Sequence, residues 1–122
     1  MSINKVILIG NLCKDPDIKA TKLGKEIANL SVATNEQWKD KTTGETKKKT
    51  EFHNVVIYQE GIVRFVKQYI KKGDKVYIEG SLQTRKWQDK NDNDRYTTEI
   101  ILQGYNCQLQ ALNSINNNDN AF

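Results

Sequence analysis

The chain has 122 residues, of which 37% are hydrophobic and 28% charged, and its formal net charge is +4 at pH 7. This length suffices for one domain with one core. No apolar run approaches the ~18 residues of a membrane span, and the N-terminus lacks the pattern of a signal peptide, so we expect a cytoplasmic protein that binds no membrane. The small basic excess is compatible with a polyanionic ligand without requiring one.

The first half of the chain predicts three β-strands. The apolar run at residues 5–9 indicates a strand with little free face, whereas residues 26–34 and 50–58 alternate between two faces. Residues 12–25 are rich in turn formers and predict a connection. The polar segment between the second and third strands predicts a hairpin tip at residues 41–45.

A second pair of strands follows in the other half of the chain. Residues 76–87 and 95–102 predict two strands joined by a polar loop. Because side chains alternate along a strand, the even positions from Val76 to Thr84, Leu82 included, are predicted to face the core. The odd positions, which end at Trp87, are then predicted to face outward.

Residues 60–72 change period, because apolar residues recur there at the i, i+3, i+4 and i+7 spacing of an amphipathic helix. The order is therefore three strands, one helix and two strands. This predicts an all-β protein with one helix, the OB-fold, a five-stranded Greek-key barrel with a helix between strands 3 and 4. We expect the domain to span residues 1–112 and the polar residues 113–122 to form a short disordered tail.

Four aromatic residues lie near polar and charged neighbours, as expected for a surface on which nucleobases stack: Trp38, Phe52, Tyr58 and Trp87. Phe52 and Tyr58 share one strand face about 20 Å apart, so they would contact different parts of one nucleic acid strand. Burial in the core is the alternative interpretation. It suits Phe52 and Tyr58 better than the tryptophans, which lie in charged segments.

Basic residues are interleaved with these rings, as they would be beside a phosphate backbone. The candidate backbone contacts are Lys5, Lys39, Lys41, Lys48, Lys49, His53, Lys72, Arg85, Lys86 and Arg95. Each lysine taken alone is explained as well by a solvated surface charge. The prediction depends on the interleaving.

The sequence shows no pattern typical of catalysis or metal binding. His53 is the only histidine, and the sequence shows no residue that would act as its catalytic partner. Neither Cys13 nor Cys107 has a second ligand at metal-binding spacing. The three aspartates of the loop at 88–94 lack the later bidentate acid of a calcium loop. We therefore predict no enzyme, no cofactor and no metal.

Several segments resemble the bacterial single-stranded DNA-binding protein family. They include NKVILIGN at 4–11, TEFH at 50–53, VYIEG at 76–80, RKW at 85–87 and RYTTE at 95–99. The resemblance covers residues 3–112. It implies an OB-fold that assembles as a homotetramer and binds single-stranded DNA without sequence preference in replication, recombination and repair, in the bacterial nucleoid.

The resemblance also implies roles for particular residues. The family's stacking rings match the four aromatics, although the family often has Trp at the position of Phe52 and Phe at that of Tyr58. Tyr77 matches a residue near the tetramer interface. Asp119 and Phe122 match part of a tip that docks replication and repair proteins, whereas the acidic cluster and the proline of that tip have no match.

Two other kinds of binding protein remain open from the sequence. One is an RNA-binding OB-fold or RNA chaperone, because stacking and phosphate contacts serve either nucleic acid. The other is an OB-fold module that binds proteins and no DNA.

Overall fold

A computed structural model describes residues 1–112. Its elements in chain order are β1 (Val6–Leu12), β2 (Asp17–Ala20), β3 (Glu26–Lys39), β4 (Thr46–Ile57), α1 (Glu60–Tyr69), β5 (Lys75–Gln88), β6 (Asp94–Leu102) and β7 (Gln108–Ala111). Five of these strands are the predicted ones. The prediction missed β2 and β7, which have four residues each. The tail, with Asp119 and Phe122, lies outside the described residues.

The five long strands close into a barrel. β1 pairs antiparallel with both β3 and β5, β3 with β4, and β5 with β6, while β4 and β6 run parallel. β2 extends the sheet beside β3, and β7 lies beside β5. The predicted five-stranded barrel with a helix between its third and fourth strands is therefore confirmed.

The core fills the barrel from alternate strand positions. Leu30 and Val32 of β3 and Val55 of β4 are at most 3% exposed, and α1 adds Val63 and Val66. Alternate side chains of a strand point to one face, so these positions fix which residues point outward.

The helix is shorter than predicted. It begins after Gln59, whose side-chain oxygen accepts a hydrogen bond from the Ile62 N–H (2.8 Å). It ends at Tyr69 rather than at residue 72, because Ile70 is already extended (φ −102°, ψ 134°). The carboxylate of Asp74 accepts the Lys71 N–H in the turn that follows.

Two strand pairs extend beyond the barrel as exposed hairpins, β3–β4 and β5–β6. The prediction that Leu82 and Thr84 face the core is wrong: both are exposed, Leu82 by 48%, because β5 has left the barrel by that point. The strands also run further toward the β3–β4 tip than predicted. Trp38 consequently lies on β3 rather than at a strand–loop boundary.

The prediction of a first strand with little free face is also wrong. Ile7 and Ile9 are 56% and 50% exposed, because only the alternate side chains, Val6 and Leu8, pack against the core.

Gly10 lies where β1 crosses β3, and no side chain fits there. A Cβ at Gly10 would stand 2.4 Å from the carbonyl oxygen of Ala33, a backbone atom held in the sheet. We expect Gly10→Ala to lower the free energy of unfolding by about 1–3 kcal/mol, the usual cost of overpacking, measured by urea denaturation.

Gly61→Ala in α1 is the matched control for this substitution. Its Cβ would lie 3.1 Å from the side-chain oxygen of Gln59, which caps the helix and would have to shift slightly. Alanine is the better helix former by up to about 1 kcal/mol, which offsets that shift, so this variant should lose less stability than Gly10→Ala. Equal stability of the two variants would refute the crossing argument.

Candidate nucleic-acid interface

The outward positions of β4, β6 and β5 form one continuous surface. Val56 lies beside Ile101, Ile101 opposite Ser81, and Arg85 opposite Thr97, so their side chains share one side of the sheet. Val56 and Ile101 are themselves covered, at 5% and 4% exposure. We call this surface, together with the residues that continue it along the strands, the outer face. Its candidate site residues are Phe52, Tyr58, Arg85, Trp87 and Arg95.

The rings of the outer face are exposed to solvent. Phe52 is 66% exposed, Tyr58 41% and Trp87 42%. The alternative that Phe52 and Tyr58 belong to the core is therefore wrong. A large apolar ring left in water among charges is the arrangement that base stacking uses.

Trp38 lies on the other side of the β3–β4 hairpin. It pairs with Lys47 and follows the same alternation as buried Val32, whereas Phe52 follows the opposite one. Trp38 is 48% exposed because the hairpin has passed the barrel end. The structure therefore brings three of the four predicted rings onto one face and places the fourth on the reverse.

Hydrogen bonds across β5 and β6 hold the polar side chains of the outer face. The indole Nε1–H of Trp87 donates to Thr97 Oγ1 (2.7 Å), and Nε of Arg85 donates to Glu99 Oε1 (3.1 Å). The ion pair uses Nε alone, and a guanidinium carries five N–H donors, so Arg85 retains capacity for a phosphate. Holding these groups before a ligand arrives reduces the entropy lost on binding.

The other predicted cations are distributed more widely. Lys5, Lys49 and Lys86 form ion pairs with Glu79 (3.0 Å), Glu51 (3.5 Å) and Asp94 (3.3 Å). Four of the candidate lysines form no ion pair with another residue of the 1–112 region: Lys39, Lys41, Lys48 and Lys72. Lys72 precedes β5, at the opposite end of that strand from Trp87, so it lies apart from the outer-face hairpin.

His53 is half-buried and belongs to the strand junction. It pairs with Val32, and its Nε2 lies 2.9 Å from Thr34 Oγ1. It therefore links β3 to β4 where their hairpin leaves the barrel. The structure does not bring it onto the outer face with Phe52.

Asp89 organises the turn of the β5–β6 hairpin. Its carboxylate accepts the backbone N–H groups of Asn91 (2.8 Å) and Asn93 (3.1 Å) and Nε of Arg95 (2.9 Å). The pKa of Asp89 is lowered from 3.8, first by the Asn93 backbone hydrogen bond, then by that of Asn91, then by Arg95. Arg95 is thus oriented by the same carboxylate that shapes the turn.

This lowered pKa gives a prediction about acid. A carboxyl whose folded pKa is depressed stabilises the fold above its unfolded pKa and loses that contribution as pH falls through the folded value. We expect faster amide hydrogen exchange at Asn91 and Asn93 in Asp89→Asn than in the parent near neutral pH. The difference should shrink below pH 3.8. A difference independent of pH would contradict the role of the carboxylate.

This hairpin also carries an exposed ring that was not predicted from the sequence. Tyr96 is 67% exposed and lies opposite Lys86, on the reverse of the ribbon from Trp87. Alternation along residues 95–102 would have placed Tyr96 with buried Ile100 and Leu102. Tyr96 is exposed for the same reason as Leu82, because the β5–β6 hairpin has left the barrel there.

A second exposed surface lies on β1 and β5. Ile9 pairs with Tyr77 and Ile7 with Glu79, and we call these four residues the β1 patch. The Tyr77 hydroxyl donates to the Glu79 carboxylate, which also pairs with Lys5. These contacts raise the pKa of Tyr77 and lower that of Glu79, the Tyr77–Glu79 hydrogen bond being the largest cause of both shifts.

A metal-ligand cluster and a membrane-spanning helix are both absent from residues 1–112. No group of three His, Cys, Asp or Glu side chains there is placed to hold a metal ion. Nor is any helix in that range long and apolar enough to cross a membrane.

A closed five-stranded barrel with one helix and two protruding hairpins that carry exposed rings and cations defines a binding protein of the OB-fold class. The chain belongs to the Single-strand binding protein family, whose sequence profile matches residues 3–111.

Relatives and a solved structure support this assignment. The single-stranded DNA-binding protein of Rhizobium meliloti (strain 1021) is 58% identical over 91% of this chain, and that of Rickettsia felis is 57% identical over 97%. The chain spans 64% and 78% of their respective lengths. A solved "Plasmodium falciparum SSB complex with ssDNA" aligns with TM-score 0.86 and 43% identity, covering 93% of this chain and 97% of that one.

Proposed function

We propose that this chain is a sequence-nonspecific single-stranded DNA-binding protein that acts in DNA replication, recombination and repair. The observation that carries the proposal is the outer face, where Phe52, Tyr58 and Trp87 stand exposed beside Arg85 and Arg95. The names of the relatives support the same ligand.

Base stacking and phosphate contacts both contribute to the free energy of DNA binding. Each base stacked on a ring gains roughly 1–3 kcal/mol with little dependence on its identity, because every base has a flat face. The cations bind phosphates and release counterions, which makes the affinity fall with salt. Neither contribution distinguishes one base from another.

A fluorescence titration tests the proposal. Trp38 and Trp87 are the only tryptophans. Trp38→Phe therefore leaves Trp87 as the fluorescent reporter on the outer face, and Trp87→Phe leaves Trp38 on the reverse of the β3–β4 hairpin. Poly(dT) should quench the Trp87 reporter at low salt, and duplex DNA should compete weakly. Absence of quenching in the parent at low salt would refute the proposal. Competition between oligo(dT) and oligo(rU) separates DNA from RNA as the preferred ligand.

We propose further that the chain assembles as a homotetramer through the β1 patch. Ile7 and Ile9 leave adjacent apolar area in water, which is typical of a protein–protein interface. The hydrogen bond from Tyr77 to Glu79 satisfies polar groups that assembly would bury. Docking of replication and repair proteins through Asp119 and Phe122 stays a prediction, as does a location in the bacterial nucleoid.

A further inference from the structure

A surface cavity of about 270 Å³ lies beside Tyr58. We infer that it holds one nucleotide of the bound strand, with the base against Tyr58 and the phosphates between Lys19 and Arg85. This inference rests on the proposed function and adds Lys19, on β2, as a positioning residue for the DNA.

The register of β2, β3 and β4 builds one side of the cavity. Lys19 pairs with Ile27 and Asn29 with Val56, and all four side chains line the cavity with Tyr58. β2 therefore extends the outer face by one strand beyond β3. Half-buried Ile27 supplies the apolar contact that the face of a base requires, since Val56 beside it is only 5% exposed.

The cations reach the cavity from different directions. Lys19 comes from β2 and Arg85 from the β5–β6 hairpin, and Tyr58 lines the same cavity. Glu99 also lines the cavity and is paired with Arg85, as Asp17 is paired with Lys19, so a phosphate competes with one carboxylate at each cation. A phosphate linkage on either side of the stacked base would meet one cation.

Lys19 is available for such a contact. Its side chain is 71% exposed, and its ion pair with Asp17 is long, at 3.7 Å, between two exposed groups. Pairs of this kind contribute little, so exchanging Asp17 for a phosphate costs little. Arg85 differs, because Glu99 fixes its position in advance.

The test is Lys19→Ala, with Lys25→Ala as the matched control. Lys25 lines a separate cavity with Glu60 and Arg64, so its loss removes the same charge elsewhere. Lys19→Ala should weaken oligo(dT) binding about two- to fivefold, the size expected for an exposed ion pair. It should also reduce the slope of log affinity against log salt by about 0.7, the value of one phosphate contact on a single strand.

A mutant cycle with Tyr58→Ala distinguishes a shared nucleotide from a general charge effect. If one nucleotide contacts both residues, Lys19→Ala should reduce the affinity for oligo(dT) by a smaller factor in the Tyr58→Ala background than in the parent. Lys19→Arg should restore the parent's affinity and slope.

The outcomes separate this inference from the proposed function. If the parent binds oligo(dT) and Lys19→Ala matches Lys25→Ala in affinity, slope and coupling, the Lys19 inference is overturned and the proposed function stands. If the parent itself does not bind, both are overturned.

Discussion

Replacing Phe52, Tyr58 and Trp87 together by alanine is expected to abolish oligo(dT) binding at physiological salt. Each stacked base is worth roughly 1–3 kcal/mol, so each single replacement should weaken binding by about five- to 150-fold. Anisotropy of a labelled oligo(dT) measures the losses, since Trp87 is then absent as a reporter. The backbone cations remain, so weak binding should reappear at low salt.

The same substitutions should leave the fold intact. All three side chains are at least 41% exposed, and none belongs to the buried core cluster. Surface changes away from caps and buried networks usually alter stability by less than about 0.5 kcal/mol. The loss of Trp87 also removes its hydrogen bond to Thr97, a half-buried hydroxyl that water can still reach.

Two comparison variants complete the stacking experiment. Tyr105→Ala removes a fully exposed ring from the turn before β7, and it should bind like the parent. Trp38→Ala tests whether the bound DNA also contacts the reverse of the β3–β4 hairpin. If the DNA does, this substitution should weaken binding by a factor similar to that of the other single replacements. If the triple variant binds within a few-fold of the parent, the outer face is not the DNA site.

The alternation of side chains predicted the barrel because its long strands bury one face. β3 alternates clearly where Leu30 enters the core, whereas β4 ends in three consecutive buried residues, Val55, Val56 and Ile57. β2 and β7 escaped prediction because four residues show too little alternation, and both depend on a longer neighbour for pairing. Leu82 was misplaced because alternation fixes the two faces of a strand but does not show where the strand leaves the barrel.

The candidate site was predictable in its residue types but not in its contacts. Trp38 and Trp87 stood out as rings in charged segments, whereas Phe52 and Tyr58 could equally be interpreted as core residues. The pairing of Arg85 with Glu99 depends on the register of β5 against β6, which residue types alone do not determine. Lys19 gave no signal, because its cavity exists only once β2, β3, β4 and the β5–β6 hairpin come together.

The second prediction concerns assembly: Ile9→Glu is expected to convert the proposed tetramer into monomers. The substitution puts a carboxylate opposite Tyr77 and close to Glu79, in the middle of the β1 patch. A charge buried at an interface without a partner costs several kcal/mol. Light scattering should then give the 14.0 kDa mass of one chain, where the parent gives about four times that mass.

The control variant introduces the same negative charge outside the β1 patch. Leu23→Glu places the same carboxylate on an equally apolar but more exposed residue (88%) in the β2–β3 turn, and it should remain tetrameric. Ile9→Val keeps the patch apolar and should also remain tetrameric.

DNA binding by the Ile9→Glu monomer separates assembly from the stacking site. Because the outer face lies within one chain, a short oligo(dT) should bind the monomer with near-parent affinity. A long oligo(dT) should bind the monomer more weakly than it binds the tetrameric parent. In the tetramer the linked sites act at a high effective concentration, and the monomer lacks this advantage. A tetrameric Ile9→Glu variant would show that the chains associate through another surface. A monomer that loses short-oligo binding would show that the outer face is completed by a neighbouring copy.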